Sequence, residues 1–394
     1  MPFELIPPHA YQTKIPKCIL RIDDNWYDCT SWRHSHPGGA MICDQFHDKD
    51  ATDVFYSLHS KEAIQKLKRM KALPLRETDK PRDEVSLRFE KLRKELEKDG
   101  WFERDWFIDF TRNIIPVIIL CVVGSFLSYS YPLISIIMIG LGMQQGGWLA
   151  HDFGHGRGKL SHFLGVTLGG LINGFSLSWW SQKHNTHHTF PNRKEHDADI
   201  HNEPVLYLWT PKDEDDNFFR RYQHFYYPFA YSLLYISWRM QSIIFVLGSR
   251  NTVERLMIVL NYLWLACLPW KVVIGSILLG GFCVAIVVTA NHQTEEILEP
   301  NDNYHYVVDQ YRTTRGVHCS SMFFEWFFGG MQYQLEHHLF PMMPRYRYPK
   351  ARTVVKKFSE ENSLPFHVNG VMEIIRMNYD VIKKNSQPIE SIQK

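Results

Sequence analysis

Residues 114–155 read IIPVIILCVVGSFLSYSYPLISIIMIGLGMQQGGWLAHDFGH, a long apolar block that ends in His151 and His155. Residues 114–147 are long enough for two membrane crossings of about 20 residues each, if both extend slightly at their ends. Tyr131-Pro132 is the predicted reversal between them, because proline favours a turn over a continuous helix. The block therefore predicts a helical hairpin in the membrane that is followed directly by a histidine-rich segment.

A second apolar block, residues 257–290, offers another pair of crossings, broken near Pro269. Residues 226–248 are also apolar but carry Arg239 near their middle, and a charge makes a lipid-exposed span expensive. We therefore expect an interfacial or protein-covered helix there, with a fifth span as the alternative. Together the blocks predict an all-α membrane domain with about four transmembrane helices, the lipid bilayer being its expected partner.

The charge balance argues against a nucleic-acid partner. The chain has 394 residues, with 44 Lys and Arg against 42 Asp and Glu, and a formal net charge of +2. Such a chain has no strong basic field to attract phosphates. The aromatic content of 14% suits a protein that meets lipid headgroups, although a large apolar core would explain it as well.

The rest of the chain predicts a small domain and a linker around the membrane domain. The strand-like CILRI (18–22), the turn-rich HPGG and helical segments around residues 50–70 predict a small α+β domain. Apolar residues at helical spacing within a charged stretch, residues 83–100, predict either an interfacial helix or a connector packed on one side. The predicted order is a small α+β domain, a linker with its helix, a membrane domain and a cytosolic C-terminal segment: residues 10–75, 76–112, 113–360 and 361–394.

A histidine in the small domain lies at a tight turn, His36-Pro37-Gly38-Gly39. Proline holds such a turn, and glycines without side chains would let the imidazole approach a flat macrocycle. A second ligand for the opposite face must come from further along the chain, and His59 is the candidate. His47 is the competitor, but only eleven positions separate it from His36, too few for two helices and a turn.

Three histidine-rich pentapeptides are named here the first, second and third box: HDFGH (151–155), HNTHH (184–188) and QLEHH (334–338). Residues three and four apart share one face of a helix, so the imidazoles of each box can reach one metal cluster. Imidazole-rich sets suit Fe, Zn, Cu or Ni, so ligand type alone does not name the metal. Because two helical hairpins return the chain to its starting side, we expect all boxes and both termini in the cytosol.

Two family resemblances arise from these motifs. Most of residues 10–75 resemble cytochrome b5, through WYDCT, HPGG and DATDVF followed by His59. This resemblance implies a b-type haem that transfers single electrons, with His36 and His59 as its axial ligands. From about Trp101 to Pro349 the chain resembles the membrane fatty acyl desaturase family, through HDFGH, HNTHH and QLEHHLFPMMPR. The second resemblance implies two Fe ions held almost wholly by histidine.

The desaturase resemblance also implies particular ligands, and no catalytic residue beyond them. The implied box ligands are His151, His155, His184, His187, His188, His337 and His338. His292, at the end of the last apolar block, lies where many family members place a further ligand. Gln334 is expected to coordinate weakly or to hold a water.

A Gln at the head of the third box, together with a fused haem module, resembles the front-end subgroup of desaturases, the delta-5/6/8 type. These enzymes of polyunsaturated fatty acid biosynthesis insert a double bond between an existing one and the carboxyl end of the chain. The implied substrates are O2 and a fatty acyl-CoA or phospholipid acyl chain, and the implied location is the endoplasmic reticulum membrane, as a multi-pass protein. We expect a separate NADH-cytochrome b5 reductase to supply electrons, since no GxGxxG lies in a strand–turn–helix context.

Other functions stay open at this point. A sphingolipid long-chain-base desaturase shares both traits, and a lipid hydroxylase on the same scaffold differs only in how the substrate is positioned. A more remote alternative is a non-enzymatic membrane protein that holds haem and binds zinc at its histidines.

Polar and aromatic residues beside the boxes have alternative roles. Four carboxylates could orient metal-bound imidazoles, the role we predict, or act as general bases: Asp152, Asp197, Asp199 and Glu336. Three cations could meet a coenzyme A phosphate or be ordinary cytosolic-side positive charges: Lys183, Arg193 and Lys194. Two aromatic residues could line an acyl channel or anchor the chain at the interface: Trp179 and Trp180.

Overall fold

The N-terminal unit is a small α+β domain, as predicted. The computed structural model describes residues 15–209 and 217–388, so residues 10–14 of the predicted domain lie outside the described part. A three-stranded antiparallel sheet has the order β1-β2-β3, with Ile19 opposite Asp28 and Trp26 opposite Leu73. Its strands are β1 (Ile19–Ile22), β2 (Asn25–Asp28) and β3 (Ala72–Pro74). Its helices are α1 (Ala40–Gln45), α2 (Thr52–Leu58) and α3 (Lys61–Leu67).

The linker contains helix α4 (Glu84–Lys98), which packs on the rest of the protein. Asp83 caps its first turn by accepting a hydrogen bond from the backbone N–H of Ser86, 3.0 Å away. Phe89, only 1% exposed, stacks on Phe340 with ring centroids 5.5 Å apart. These contacts are those expected of the connector helix rather than of a helix lying on lipid.

In the described residues between 106 and 292, helices are the main regular elements. A π-helical stretch, Asp109–Ile114, joins the first two of its helices, and a second, Leu168–Ile172, extends the fourth. The helices are α5 (Trp106–Ile108), α6 (Ile115–Leu127), α7 (Pro132–His155), α8 (Lys159–Thr167), α9 (Leu177–Thr189), α10 (Phe218–Ser232), α11 (Leu234–Gly248), α12 (Thr252–Ala266) and α13 (Trp270–His292).

Within residues 15–209 and 217–388, three continuous helices are long and apolar enough to cross a membrane: Trp106–Leu127, Pro132–His155 and Trp270–His292. The number rises to five if each of two bent pairs is one span, α8 with α9 (bent by 109°) and α10 with α11 (57°). The predicted figure of about four lies within this range. The first predicted hairpin appears as α6 and α7, with the reversal at Tyr131-Pro132. In the second predicted pair, α12 has 15 residues and is about 22 Å long, shorter than a bilayer core of about 30 Å.

Arg239 lies within the protein, which agrees with the predicted protein-covered helix. It is 4% exposed, and its Nη1 donates to Asn261 Oδ1 at 2.8 Å, joining α11 to α12. Asn261 Nδ2 donates in turn to the carbonyls of Leu171 and Ile172, at 2.8 and 3.1 Å. The charge is thus shielded from lipid by neighbouring helices.

The C-terminal third of the chain packs back onto the spans. Strand β5 pairs in parallel with β4, and the last helix contacts α13 and α10, where Asn378 Nδ2 donates to Tyr231 Oη at 2.9 Å. Residues 368–384 therefore pack against the helices that precede them. These elements are α14 (Tyr306–Thr313), β4 (Gly316–His318), α15 (Met322–Phe328), α16 (Gln334–Leu339), α17 (Tyr348–Glu361), β5 (Val368–Gly370) and α18 (Val371–Lys384).

Candidate metal centre

Five histidines from all three boxes form a first cluster. They are His151, His155, His184, His188 and His337, whose nearest ring nitrogens all lie within 4.8 Å of one another. The last turn of α7, the helix α9 and the short helix α16 supply them. The Nε2 atom of His184 is 2.9 Å from Nε2 of His151 and 2.9 Å from Nε2 of His188. The first cluster therefore presents convergent imidazoles rather than a surface patch.

Three further histidines, His187, His292 and His338, form a second cluster with ring nitrogens within 4.8 Å of one another. Gln334 joins them, since its Nε2 lies 2.9 Å from Nε2 of His292 and 3.1 Å from Nε2 of His338. Asn291 Nδ2 donates to Gln334 Oε1 at 3.0 Å and so turns the amide nitrogen toward the imidazoles. In this orientation Gln334 offers the cluster a hydrogen-bond donor, which suits holding a water better than direct coordination.

The donor set fits transition-metal ions. Nε2 of His155 and Nε2 of His337 are buried without a hydrogen-bond partner among the residues that the structure describes. Buried polar atoms are nearly always satisfied, so these nitrogens indicate a missing partner that accepts their lone pairs. Burial, and then the neighbouring imidazoles, hold the pKa of His337 and of His338 well below its ordinary value. Both rings are therefore neutral at physiological pH, the form that binds a metal.

In four of the eight histidines, the ring nitrogen that faces away from the clusters is held by another group. His187 Nδ1 is 2.8 Å from Asp197 Oδ2, and His338 Nδ1 is 2.8 Å from Gln310 Oε1. The remaining pairs are His337 Nδ1 with Tyr348 Oη at 3.0 Å and His292 Nδ1 with the Thr313 carbonyl at 3.0 Å. Such bonds fix the tautomer and direct the other ring nitrogen toward the cluster.

The small domain holds a second pair of facing imidazoles. His36 Nε2 and His59 Nε2 face each other at 3.4 Å, and the outer nitrogens donate to the carbonyls of Gly39 (3.2 Å) and Phe55 (3.0 Å). Burial, and then His36, lower the pKa of His59 to about 4, so this ring is neutral at physiological pH. The competitor His47 lies elsewhere and accepts from the backbone N–H of Ile19 at 3.3 Å. The arrangement is the one expected of two axial ligands to a haem iron.

A largely apolar cavity of about 760 Å³ begins at the histidines. His151, His184, His187, His292 and Gln334 line one part of it. Its other walls include Phe175, Trp180, Tyr235, Trp238, Val284 and Val288. Along α13 the lining runs from His292 back to Val284, about 12 Å at 1.5 Å per residue. The cavity thus leads from the clusters along a membrane-spanning helix, as a channel for a long apolar chain would.

Comparison with known protein families assigns both parts of the chain. The model of the fatty acid desaturase family matches residues 127–370, more than half of the sequence. The chain is a fatty acid desaturase. A second family, the cytochrome b5-like heme/steroid binding domain, matches residues 9–79. The protein is therefore an oxidoreductase with a fused haem-binding domain, and the two resemblances drawn from the sequence are confirmed.

Relatives of this desaturase align over nearly its whole length. The Delta(6)-fatty-acid desaturase fat-3 of Caenorhabditis elegans is 30% identical over 94% of this chain and 97% of its own. A Delta(8)-fatty-acid desaturase of Euglena gracilis is 31% identical, over 88% and 90% of the two chains. The Delta(5) fatty acid desaturase fat-4 of C. elegans is 31% identical, over 89% and 91%.

The four carboxylates beside the boxes of the desaturase divide into two groups. Asp197 contacts His187, and Asp199 Oδ2 lies 3.8 Å from His187 Nδ1 and 3.9 Å from His184 Nδ1. Burial alone would raise the pKa of Asp199, but Lys183 and the two imidazoles hold it well below its ordinary value. Asp197 and the ionised Asp199 are placed to orient imidazoles rather than to accept a proton from the cavity.

The other two carboxylates pair with arginines. Asp152 Oδ2 accepts from Arg104 Nη1 at 2.8 Å, and Glu336 Oε1 accepts from Arg352 Nε at 3.3 Å. Neither one hydrogen-bonds to a box imidazole within residues 15–209 and 217–388. Their ion pairs with arginine stabilise α7 and α16. The predicted role of orienting the imidazoles therefore applies only to Asp197 and Asp199.

The candidate phosphate-binding cations of the desaturase are ion-paired. Lys183 Nζ lies 2.6 Å from Asp199, Arg193 Nη2 lies 2.8 Å from Asp309, and Lys194 Nζ lies 2.6 Å from Glu299; these distances are to carboxylate oxygens. Their contacts favour structural roles over coenzyme A binding.

The two tryptophans also differ. Trp180 lines the cavity and stacks on His184 with ring centroids 4.4 Å apart. Trp179 is buried instead in a cluster with Phe245, Val246 and Ile258. The channel role that the sequence left open therefore suits Trp180 alone.

Proposed function

We propose that this desaturase inserts a double bond between an existing double bond and the carboxyl end of a polyunsaturated acyl chain. The observation that carries the proposal is the convergence of eight histidines, in two clusters, at one end of an apolar cavity. The named activities of the relatives, Delta(5), Delta(6) and Delta(8), support the front-end position. Gln334 at the head of the third box supports it as well.

The two clusters are suited to hold one iron each. The first would be held by His151, His155, His184, His188 and His337, and the second by His187, His292 and His338. Two bound irons supply the reductive activation of O2 that removal of hydrogen from an unactivated methylene requires. Gln334 donates its amide N–H toward the second cluster, and Asp197 holds Nδ1 of His187, which leaves Nε2 free to bind a metal.

The cavity determines which methylene is presented. Its apolar walls exclude water and hold an extended chain along α13, while Trp180 and His184 form a stacked pair at the reacting end. Positioning of this kind needs no acid or base among the lining residues. The residues beyond the ligands therefore act by orienting the chain and the imidazoles.

The haem module is the proposed electron donor. A b-type haem held by His36 and His59 would deliver two electrons per turnover, one at a time. A separate NADH-dependent reductase would return the haem to its ferrous form. We place the protein in the endoplasmic reticulum membrane, with the histidine boxes and both termini in the cytosol. The common position of the clusters at the ends of α7 and α13 supports a single catalytic face.

Expression in a host without polyunsaturated lipids tests the proposal. Candidate polyunsaturated acids are fed, and the new double bond is located by mass spectrometry of the extracted lipids. We expect a loss of two hydrogens on the carboxyl side of an existing double bond, and none in a His188→Ala strain. Added oxygen would indicate a hydroxylase, and a product confined to long-chain bases would indicate a sphingolipid desaturase. Purified protein with zinc but no iron would overturn the oxidative function altogether.

A further inference from the structure

The haem-binding domain contacts helix α9 at two positions that flank its metal-facing histidines. Gln182 lies two residues before His184, and Phe190 lies two residues after His188. Both residues touch the small domain, as described below. The second box is therefore held between two points of contact with the haem module.

Gln182 approaches the haem-ligand turn closely. A Cβ atom built on Gly39 would lie 2.6 Å from Gln182 Nε2, so the side chain of Gln182 packs directly against this turn. Gly39 also has φ +87°, a left-handed conformation that other residues adopt with strain. The carbonyl of the same Gly39 accepts a hydrogen bond from Nδ1 of His36, at 3.2 Å. Gln182 thus packs against Gly39, and the carbonyl of Gly39 holds the proposed axial ligand His36.

The polar end of Gln182 has an unused acceptor. The residue is 8% exposed, and its Oε1 is buried with no hydrogen-bond partner among residues 15–209 and 217–388. A buried amide oxygen normally has a donor, and leaving it unpaired destabilises the folded protein. An apolar side chain would fill the position without this cost. The amide therefore indicates a specific role at the boundary between the haem pocket and α9.

The second contact is aromatic. Phe46, which follows α1, stacks on Phe190 with ring centroids 5.4 Å apart, and Tyr304 packs against both rings. Phe46 and Phe190 are 4% and 3% exposed. This buried cluster fixes one end of α9 against the small domain, which leaves Gln182 to set the distance at the other end.

We propose that Gln182 is a positioning residue that couples the haem pocket to the second histidine box. Its amide fixes the turn of His36 to Gly39 against α9, and two residues of backbone then lead to His184. This inference rests on the proposed electron delivery from the haem. Since electron transfer slows steeply with distance, a loosened contact slows the oxidation of the haem without changing either ligand set.

The test is a measurement of haem oxidation in the full-length, haem- and iron-loaded protein. The haem is reduced without O2, then mixed with O2 and a polyunsaturated acyl substrate, and its absorbance is followed in a stopped-flow instrument. In Gln182→Leu we expect oxidation several-fold slower than in the wild type, because the haem would lie further from the second box. Haem content, iron content and haem midpoint potential should match those of the wild type. A His337→Ala protein gives the background rate of direct oxidation by O2.

Two further variants complete the design. Gln65→Leu makes the same change on the exposed face of α3 and should oxidise at the wild-type rate. Gln182→Asn keeps the amide but shortens its reach, and should show the same slowing as the leucine variant. A wild-type rate in either loaded Gln182 variant would overturn the proposal, and so would loss of haem from both, which would make Gln182 a part of the haem pocket alone. Absence of lipid product from the wild type would instead count against the proposed function.

Discussion

At the scale of single residues, Asp197 is the clearest example of a group that acts through a histidine. Its Oδ2 faces His187 Nδ1 and the backbone N–H of Asn192, both at 2.8 Å, and its Oδ1 accepts from the N–H of Asp199 at 2.8 Å. Both oxygens thus serve as acceptors. In Asp197→Asn one of these two acceptor oxygens becomes an amide NH2 group. That group would then face a hydrogen-bond donor instead of accepting from it. We expect iron affinity or activity to fall by about 10- to 100-fold.

Iron titration of the purified protein measures this effect. The matched control is Asp24→Asn, since the Asp24 side chain is 84% exposed and lies only near Arg21, 3.7 Å away. Its iron affinity should equal that of the wild type. Unchanged iron affinity and activity in Asp197→Asn would show that the imidazole of His187 needs no carboxylate to hold it.

His59 and His47 provide a second residue-scale test, because the sequence offered both as partners of His36. The structure places His59 Nε2 at 3.4 Å from His36 Nε2, and His47 against the backbone of Ile19. We therefore expect His59→Ala to lose the absorbance spectrum of a haem with two imidazole ligands, while His47→Ala retains it. Spectra of both purified variants decide the question, and the reverse result would reassign the ligand.

Helical spacing singled out the box histidines, and the desaturase resemblance added His292, but neither pointed to the groups behind them. The boxes stand out because imidazoles recur at helical spacing. Gln310, Thr313 and Tyr348 hold three of those rings, yet nothing marks them in the sequence, since a lone amide, carbonyl or hydroxyl is common anywhere. Only the fold brings α14 and α17 to the back of the clusters. Gln182 escaped notice for the same reason.

At the scale of elements, Asn261 joins three helical segments. Its Oδ1 accepts from Arg239 on α11, and its Nδ2 donates to the carbonyls of Leu171 and Ile172 at the end of the π-helical stretch. Asn261→Leu keeps a similar size but removes all of these bonds. A hydrogen bond to a charged group contributes about 1.5–3 kcal/mol, so we expect a clear fall in the melting temperature in detergent.

The control for this prediction is Asn303→Leu, the same change at an exposed position of a loop. Its melting temperature should stay within the error of the wild-type value. If Asn261→Leu melted at the wild-type temperature, Arg239 would have to find another partner within the membrane domain.

The membrane helices show what an apolar sequence pattern can predict and what it cannot. The hairpin of α6 and α7 followed from its length and from Tyr131-Pro132. The bends of 109° between α8 and α9 and of 57° between α10 and α11 could not be predicted in this way. Hydropathy measures burial from water and cannot separate lipid contact from protein contact. Arg239 gave the useful signal, since a charge in an apolar segment requires cover by neighbouring helices.

At the scale of the whole molecule, the two domains share one hydrophobic core. Side chains of the haem module, among them Cys18, Phe46 and Val54, belong to the same buried cluster as Phe190 and Phe340 of the membrane domain. Tethering alone would raise the effective concentration of the haem near the histidines. The shared core adds a fixed orientation, and it covers the surface of α9 that a separate electron donor would have to reach.

Because the haem module covers this surface of α9, we can predict how the protein behaves when its own haem is lost. His36→Ala should lose its haem and its product together, and an excess of separate cytochrome b5 with its reductase should not restore the product. The reason is that the apo module still covers α9 through Phe46 and Phe190, whose burial does not depend on His36. Product yield is measured with and without the added donor, alongside iron content, which should be unchanged. Recovery to the wild-type yield would mean that the module leaves α9 readily, and that the docked arrangement is one of several in solution.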